Sequence, residues 1–173
     1  MRVPDRADAP GWVRPVLTGD LASGTVHDLV LWPDPRLRMR CEPAGYLSSP
    51  ELRQLAADLL ATMYAAGGRG LAAPQIGVSR RIFVMDAGWK EGAPDPLVMT
   101  DPEILVRSPV TEAAIEGCLS IPDRPVEVVR PVSIGIAWYD LDGLYQLEQL
   151  DGAAARIAQH EADHLDGRLI VND

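Results

Sequence analysis

The segment His160-Glu161-Ala162-Asp163-His164 constrains this chain more than any other stretch of its length. Residues four apart on a helix sit one turn above each other, so His160 and His164 share a face, and Ile157 and Leu165 flank them on the same stripe. A helix is expected to begin near Asp151, to run through Ala153 to Leu165 and to stop at Gly167. Imidazoles turned toward a core need partners. The HExxH spacing lets both face one metal ion while Glu161 reaches a bound water. The competing reading is two histidines on a partly buried helix face. The chain has only 3 histidines, and two of them are spent here at ligand spacing.

A hydrolytic metal site wants three protein ligands and an open position. In the common HExxH peptidases the third ligand lies downstream. Here nine residues follow His164, and they contain Asp166 and Asp173 but no His, Glu or Cys. The third ligand is therefore expected upstream, where His27, Cys118 and many carboxylates are candidates. Cys118 lies in Glu116-Gly117-Cys118-Leu119-Ser120, read as a short turn-like segment between strands. A lone free cysteine is more often a small buried apolar residue, which is the reading open to Cys41 as well. Two cysteines make no disulfide framework. The run from Gly68 to Gln75 has glycines that permit close backbone approach and, in Gln75, a neutral donor of the kind an oxyanion needs. Its alternative is a helix end and a tight turn with Gln75 in solvent.

The 173 residues suit one domain. Ser48-Ser49-Pro50-Glu51 reads as a capping box, after which Leu52, Leu55, Ala56, Leu59, Leu60 and Met63 fall on one helical face as far as Gly67 and Gly68. Short strands are expected over 81–85, 97–100, 126–130 and 133–139, the last followed by an Asp142-Gly143 turn. The sum is an α+β fold, with small antiparallel sheets around the late helix. A net charge of -9 argues against a nucleic-acid partner held by bulk electrostatics. No apolar stretch is long enough to span a bilayer. The start lacks a signal peptide's apolar run, and Asp5, Asp8 and Asp20 are foreign to an organellar transit peptide, so a cytoplasmic location is expected.

Taken together, the GxGLAAPQ run from Gly68 to Gln75, the EGCLS run from Glu116 to Ser120 and the QHExDHL run from Gln159 to Leu165 resemble the three signature motifs of the peptide deformylase family. Asp34-Pro35-Arg36-Leu37-Arg38 extends the likeness, which covers residues 29 to 170. The resemblance implies a hydrolase that removes the formyl group from the initiator methionine of nascent polypeptides and releases formate. It implies a peptide deformylase-like catalytic domain over 28–173; residues 1–27, which start with mixed arginines and aspartates, are read as a poorly ordered or loosely packed extension. Cys118, His160 and His164 would hold one divalent ion, Fe(II) by the family's habit, with zinc, nickel or cobalt able to take the site. Glu161 would act as general base and then general acid. The Gln75 amide and the Leu119 backbone N–H would hold the oxyanion, and Gly70 would bond the substrate backbone.

By the same likeness, Glu116 and Arg130 match positions that pair and would steady the Cys118 segment, with Asp163 left without a role. Arg69 stands where the family usually has Val or Ile lining the methionine pocket. A cation there either turns to solvent with its stem over the pocket or changes which side chain is accepted. The expected partners are formylmethionyl nascent peptides, with neither membrane nor nucleic acid. Docking on the ribosome through a further C-terminal helix, as in some bacterial members, is not expected. Two rivals stand beside this reading. A zincin-type peptidase would need a downstream ligand, and a non-catalytic or altered-specificity relative would bind peptide N-termini.

Overall fold

A computed structural model of the chain describes residues 11–45, 47 and 49–172. Helix α1 (Ser49–Ala65) is followed by β1 (Gly70–Ala72), β2 (Ile82–Met85), β3 (Leu97–Arg107), β4 (Thr111–Cys118), β5 (Ile121–Pro131), β6 (Ser133–Tyr139), β7 (Tyr145–Asp151) and α2 (Gly152–Leu165). The fold is α+β. One antiparallel sheet has the order β1-β2-β3-β6-β7, and β4 and β5 form a separate two-stranded ribbon.

The two helices sit on opposite sides of the larger sheet, and β2 shows why. Its four residues are all buried. Ile82 and Val84 pack with Leu71 against Leu52, Leu59, Leu60 and Met63 of α1, whereas Phe83 and Met85 pack with Ala72 against Ala155, Ala158 and Leu165 of α2. Alternate side chains of a strand point to opposite faces, so one short apolar run serves two cores. Each such side chain contributes about 1.5–3 kcal/mol when fully buried.

Helix α1 carries the expected apolar face; its expected cap, Ser48, lies outside the described residues. Helix α2 matches the expected span, and the chain leaves it through Gly167 at φ 71. An added Cβ at Gly167 would lie 2.3 Å from the Arg38 carbonyl oxygen, so no other residue fits.

Several strand limits differ from expectation. β3 continues to Arg107, seven residues beyond the expected end at Thr100, because register shifts after Thr100 absorb Asp101 (φ 48) and Pro102. β4 and β7 were not expected as strands. β4 exposes Ile115, and both β4 and β7 show too few buried positions for alternation to reveal them. Glu116, Gly117 and Cys118 end β4 and are not part of a turn; Leu119 and Ser120 alone make the reversal into β5.

Of the expected extension, residues 1–10 lie outside the described residues. Residues 11–27 run over α1, with Leu17 and Leu21 packed on its core. The Thr25 N–H donates to Asp58 Oδ1 at 2.8 Å, and the His27 N–H donates to Thr62 Oγ1 at 3.0 Å. Among the described residues no helix is long and apolar enough to cross a membrane.

Candidate active site and metal centre

Helix α2 delivers His160 and His164 on one face with their Nε2 atoms 3.2 Å apart. The end of β4 brings Cys118 Sγ to 3.4 Å from His164 Nε2, and these three ligand atoms all lie within 4.8 Å of one another. The other upstream candidates lie elsewhere. His27 is bonded to Asp58 on α1 at 2.7 Å, Cys41 is a buried core residue, and Asp166 pairs with Arg81 at 2.9 Å. Asp173 lies outside the described residues.

The three donors fit a divalent ion. His160 Nδ1 faces Glu116 Oε2 at 3.0 Å. With its proton fixed there, His160 turns an Nε2 lone pair toward Cys118 and His164, which is how metal-binding histidines are oriented. One sulfur and two nitrogens then converge, a ligand set that suits Zn, Fe or Ni.

Glu116 is the hub behind the site. Burial works to raise its pKa, but hydrogen bonds from His160 and Arg130 prevail and hold it down at about 2. Arg130 grips it twice, at 2.5 and 2.9 Å, and reaches Asp163 of α2 at 2.9 Å. Asp163, whose role the sequence left open, thereby ties α2 to the ribbon. Arg156 adds a bond to Glu116 at 2.8 Å and two more to the carbonyls of Glu112 and Val128. Arg156 was not anticipated, although its place one turn before His160 was a signal.

Burial opposes charge on His160, yet the Cys118 sulfur and Glu116 outweigh it and push that imidazole up to about 10. His164, buried and beside His160, moves well below its ordinary value. Two imidazole nitrogens this close cannot both carry a proton.

Glu161 is buried against Gly70, where an added Cβ would lie 2.4 Å from Glu161 Oε1. Burial pushes its carboxyl up to about 7, and its Oε2 has no hydrogen-bond partner among the described residues. Gln75 is also buried, contrary to the solvated alternative. Its Oε1 accepts the Ala72 N–H at 2.9 Å, which turns Nε2 toward Ser120 Oγ at 3.1 Å and Cys118 Sγ at 3.7 Å. Ser120, another residue the sequence did not single out, shares in orienting the amide. Leu119 lies in the reversal between β4 and β5, and its side chain fills the space beside Gly68.

These groups line a cavity of about 530 Å³ that includes Gly70, Gln75, Cys118, Leu119, His160 and Glu161. Arg69 also lines it. Its guanidinium pairs with Glu91. The site thus draws on β1, the turn after it, the tip of the ribbon and α2.

A family model described as polypeptide deformylase matches residues 26–173. The peptide deformylase of Mesorhizobium japonicum is 44% identical over 147 residues, covering 85% of this chain and 83% of that protein. The crystal structure of peptide deformylase from Thermotoga maritima superposes with a TM-score of 0.78 at 41% identity, over 84% of this chain and 95% of its own. A class I type b peptide deformylase from Acinetobacter baumannii, solved with Met-Ala-Ser bound, gives a TM-score of 0.79 at 33% identity, over 85% and 97% of the two chains.

Proposed function

The chain belongs to the polypeptide deformylase family, and on that premise we propose that it hydrolyses the N-terminal formamide of formylmethionyl peptides, releasing formate and a free amine. The observation that carries the reading is the convergence of Cys118, His160 and His164 within 4.8 Å beside the buried Glu161 and Gln75. All the groups the reaction needs are present, which argues against a relative that only binds.

Cys118, His160 and His164 would hold a divalent ion, which would supply Lewis acidity toward the formyl carbonyl and the attacking water. Glu161 takes a proton from the attacking water as the C–O bond forms. It returns that proton to the departing nitrogen as the C–N bond breaks. A carboxyl raised to about 7 by burial is matched to transfer in both directions near neutral pH. The Gln75 Nε2 and the Leu119 backbone N–H donate to the oxygen on which negative charge develops.

The Arg69 carbonyl accepts the Asp86 N–H at 2.9 Å, so antiparallel alternation points the N–H and C=O of Gly70 to the open edge of β1. An extended peptide pairs there as an added strand. The wall near Gln75 and Ala72 is closed, and a formyl group, with only hydrogen on its carbonyl carbon, is the acyl group that fits against it. The ion is Fe(II) on the family resemblance, and the catalytic unit spans 28–173.

The test is formate release from formyl-Met-Ala-Ser by anaerobically purified, Fe(II)- or Ni(II)-loaded protein, with acetyl-Met-Ala-Ser as control. Glu161→Ala is expected to retain metal and lose about 10²–10⁴-fold in kcat, the usual weight of a general acid–base group. Full activity in that variant would refute the mechanism.

A further inference from the structure

The chain has a net charge of -9, yet Arg69, Lys90, Arg124 and Arg156 line the cavity beside Glu116, Asp123 and Glu161. The Arg156 guanidinium is committed to Glu116 and two carbonyls, and that of Arg69 to Glu91. Arg124 lies over the Trp32 ring at 5.1 Å and next to Asp123, which lines the same rim. Lys90 makes no ion pair among the described residues. Its ammonium is held 3.9 Å from the centre of the Trp12 ring and 5.7 Å from that of Trp89. Trp12 and Trp89 are themselves in edge contact at 5.7 Å. Trp12 belongs to the segment before residue 26, where the family match begins, so this support for Lys90 is additional to the matched domain.

The seat of Lys90 is fixed relative to the site. The Trp89 Nε1–H donates to the Gly68 carbonyl at 2.9 Å, which places the turn carrying Lys90 beside the first residues of the open β1 edge. A peptide whose formyl group lies by Glu161 and Gly70 cannot run toward Ala72, Ala73 and Gln75, which are buried. It leaves past Gly68. A strand advances about 3.3 Å per residue, so the second and third residues of the peptide come abreast of Gly68 and the Lys90 turn. Half-burial and then the neighbouring Arg69 work against charge on Lys90, and the Glu91 carboxylate, itself engaged with Arg69, offsets this only in part.

Building on the deformylase reading, we propose that Lys90, seated on Trp12 and Trp89, is a specificity-determining residue that favours formyl peptides with an acidic side chain one or two residues after the formylated one. Trp12 is its positioning residue.

The experiment uses the full-length, metal-loaded protein and C-terminally amidated peptides: formyl-Met-Ala-Ser, formyl-Met-Asp-Ser, formyl-Met-Ala-Asp and their Lys counterparts. The better of the two Asp peptides is expected to exceed the Ala-Ser peptide about three- to fivefold in kcat/KM, the size of a partly exposed ion pair. The gain is expected in KM and should shrink in high salt. The Lys peptides are expected to fall below the neutral one. Lys90→Met should bring the Asp-to-Ala ratio to about one. Trp12→Ala should lower the ratio and Trp12→Phe preserve it, since either aromatic face can seat an ammonium. Turnover of formyl-Met-Ala-Ser with no preference for Asp, or a preference that survives Lys90→Met, overturns the proposal. Failure to turn over any formyl peptide overturns the deformylase reading itself.

Discussion

Gly70 sets how closely β1 can approach α2. Its missing side chain is what lets Glu161 sit against the strand edge, since a Cβ would come within 2.4 Å of Oε1 and 2.9 Å of Cδ. Gly70→Ala should therefore displace the carboxylate without touching a metal ligand. A shift of about 1 Å in a catalytic group costs about 100-fold in rate. The variant is expected to lose about that much kcat/KM in the formate assay while metal content per chain is unchanged. A fully active Gly70→Ala would show that Glu161 has room to move. The candidate site residues were legible in the sequence because their types are rare or their spacing is periodic: two of the 3 histidines, one of the 2 cysteines, and glycines on either side of Arg69. Ser120 and Arg156 were not, because a serine in a turn and an arginine on a helix are common. Their importance comes only from what they touch, Gln75 and Glu116.

An ionic cluster joins the β4-β5 ribbon to helix α2, and the Gln159 Nε2–H also donates to the Pro131 carbonyl of β5 at 3.0 Å. Arg130 on β5 bonds Glu116 on β4 and Asp163 on α2, and both Arg130 and Glu116 are buried. Taking away one member of such a group leaves the others charged and out of water, at a cost of about 3–5 kcal/mol. Arg130→Met is expected to lower urea-denaturation stability by about that amount. It should also weaken metal retention about tenfold, because Glu116 would no longer be held against His160 Nδ1. Unchanged stability would mean that the cluster is solvated and replaceable. Helices α1 and α2 and strand β6 were readable from periodicity. β4 and the far half of β3 were not, since the outer part of the ribbon exposes Ile115 and Val129, and Asp101-Pro102 reads as a stop that a bulge in fact absorbs.

Across the whole molecule, two cores on opposite faces of one sheet are joined to an N-terminal segment that lies along α1. Asp58 is the main polar link. Burial raises its pKa, but the Thr25 N–H, His27 and Gln54 together outweigh that and hold it below the ordinary 3.8. A carboxyl whose folded-state pKa is depressed adds stability that is complete above its unfolded value and is lost as pH falls through the folded one. Asp58→Asn is thus expected to be less stable by about 1 kcal/mol at neutral pH. The gap should close in acid, as pH falls from about 3.8 through the lower folded-state value and the wild-type carboxylate takes up its proton. Thermal melts of both proteins across that range would check it, and a gap that persists undiminished in acid would place the effect outside the charge of Asp58.

By itself the sequence determined which residues can do chemistry and which segments are helical. An HExxH run on an apolar stripe, a cysteine in an EGCLS run and a glycine-rich run ending in Gln75 carry their chemistry in residue type and spacing, which the chain fixes covalently. The tertiary structure decided how these pieces face one another. That Cys118 rather than His27 meets the two histidines, that Glu116 orients His160, that Arg69 turns to Glu91 and that Trp12 returns to seat Lys90 all depend on contacts between residues far apart in the chain. Local periodicity carries no record of such contacts, because they arise only when burial of both faces of β2 draws α1, α2 and the ribbon around one sheet.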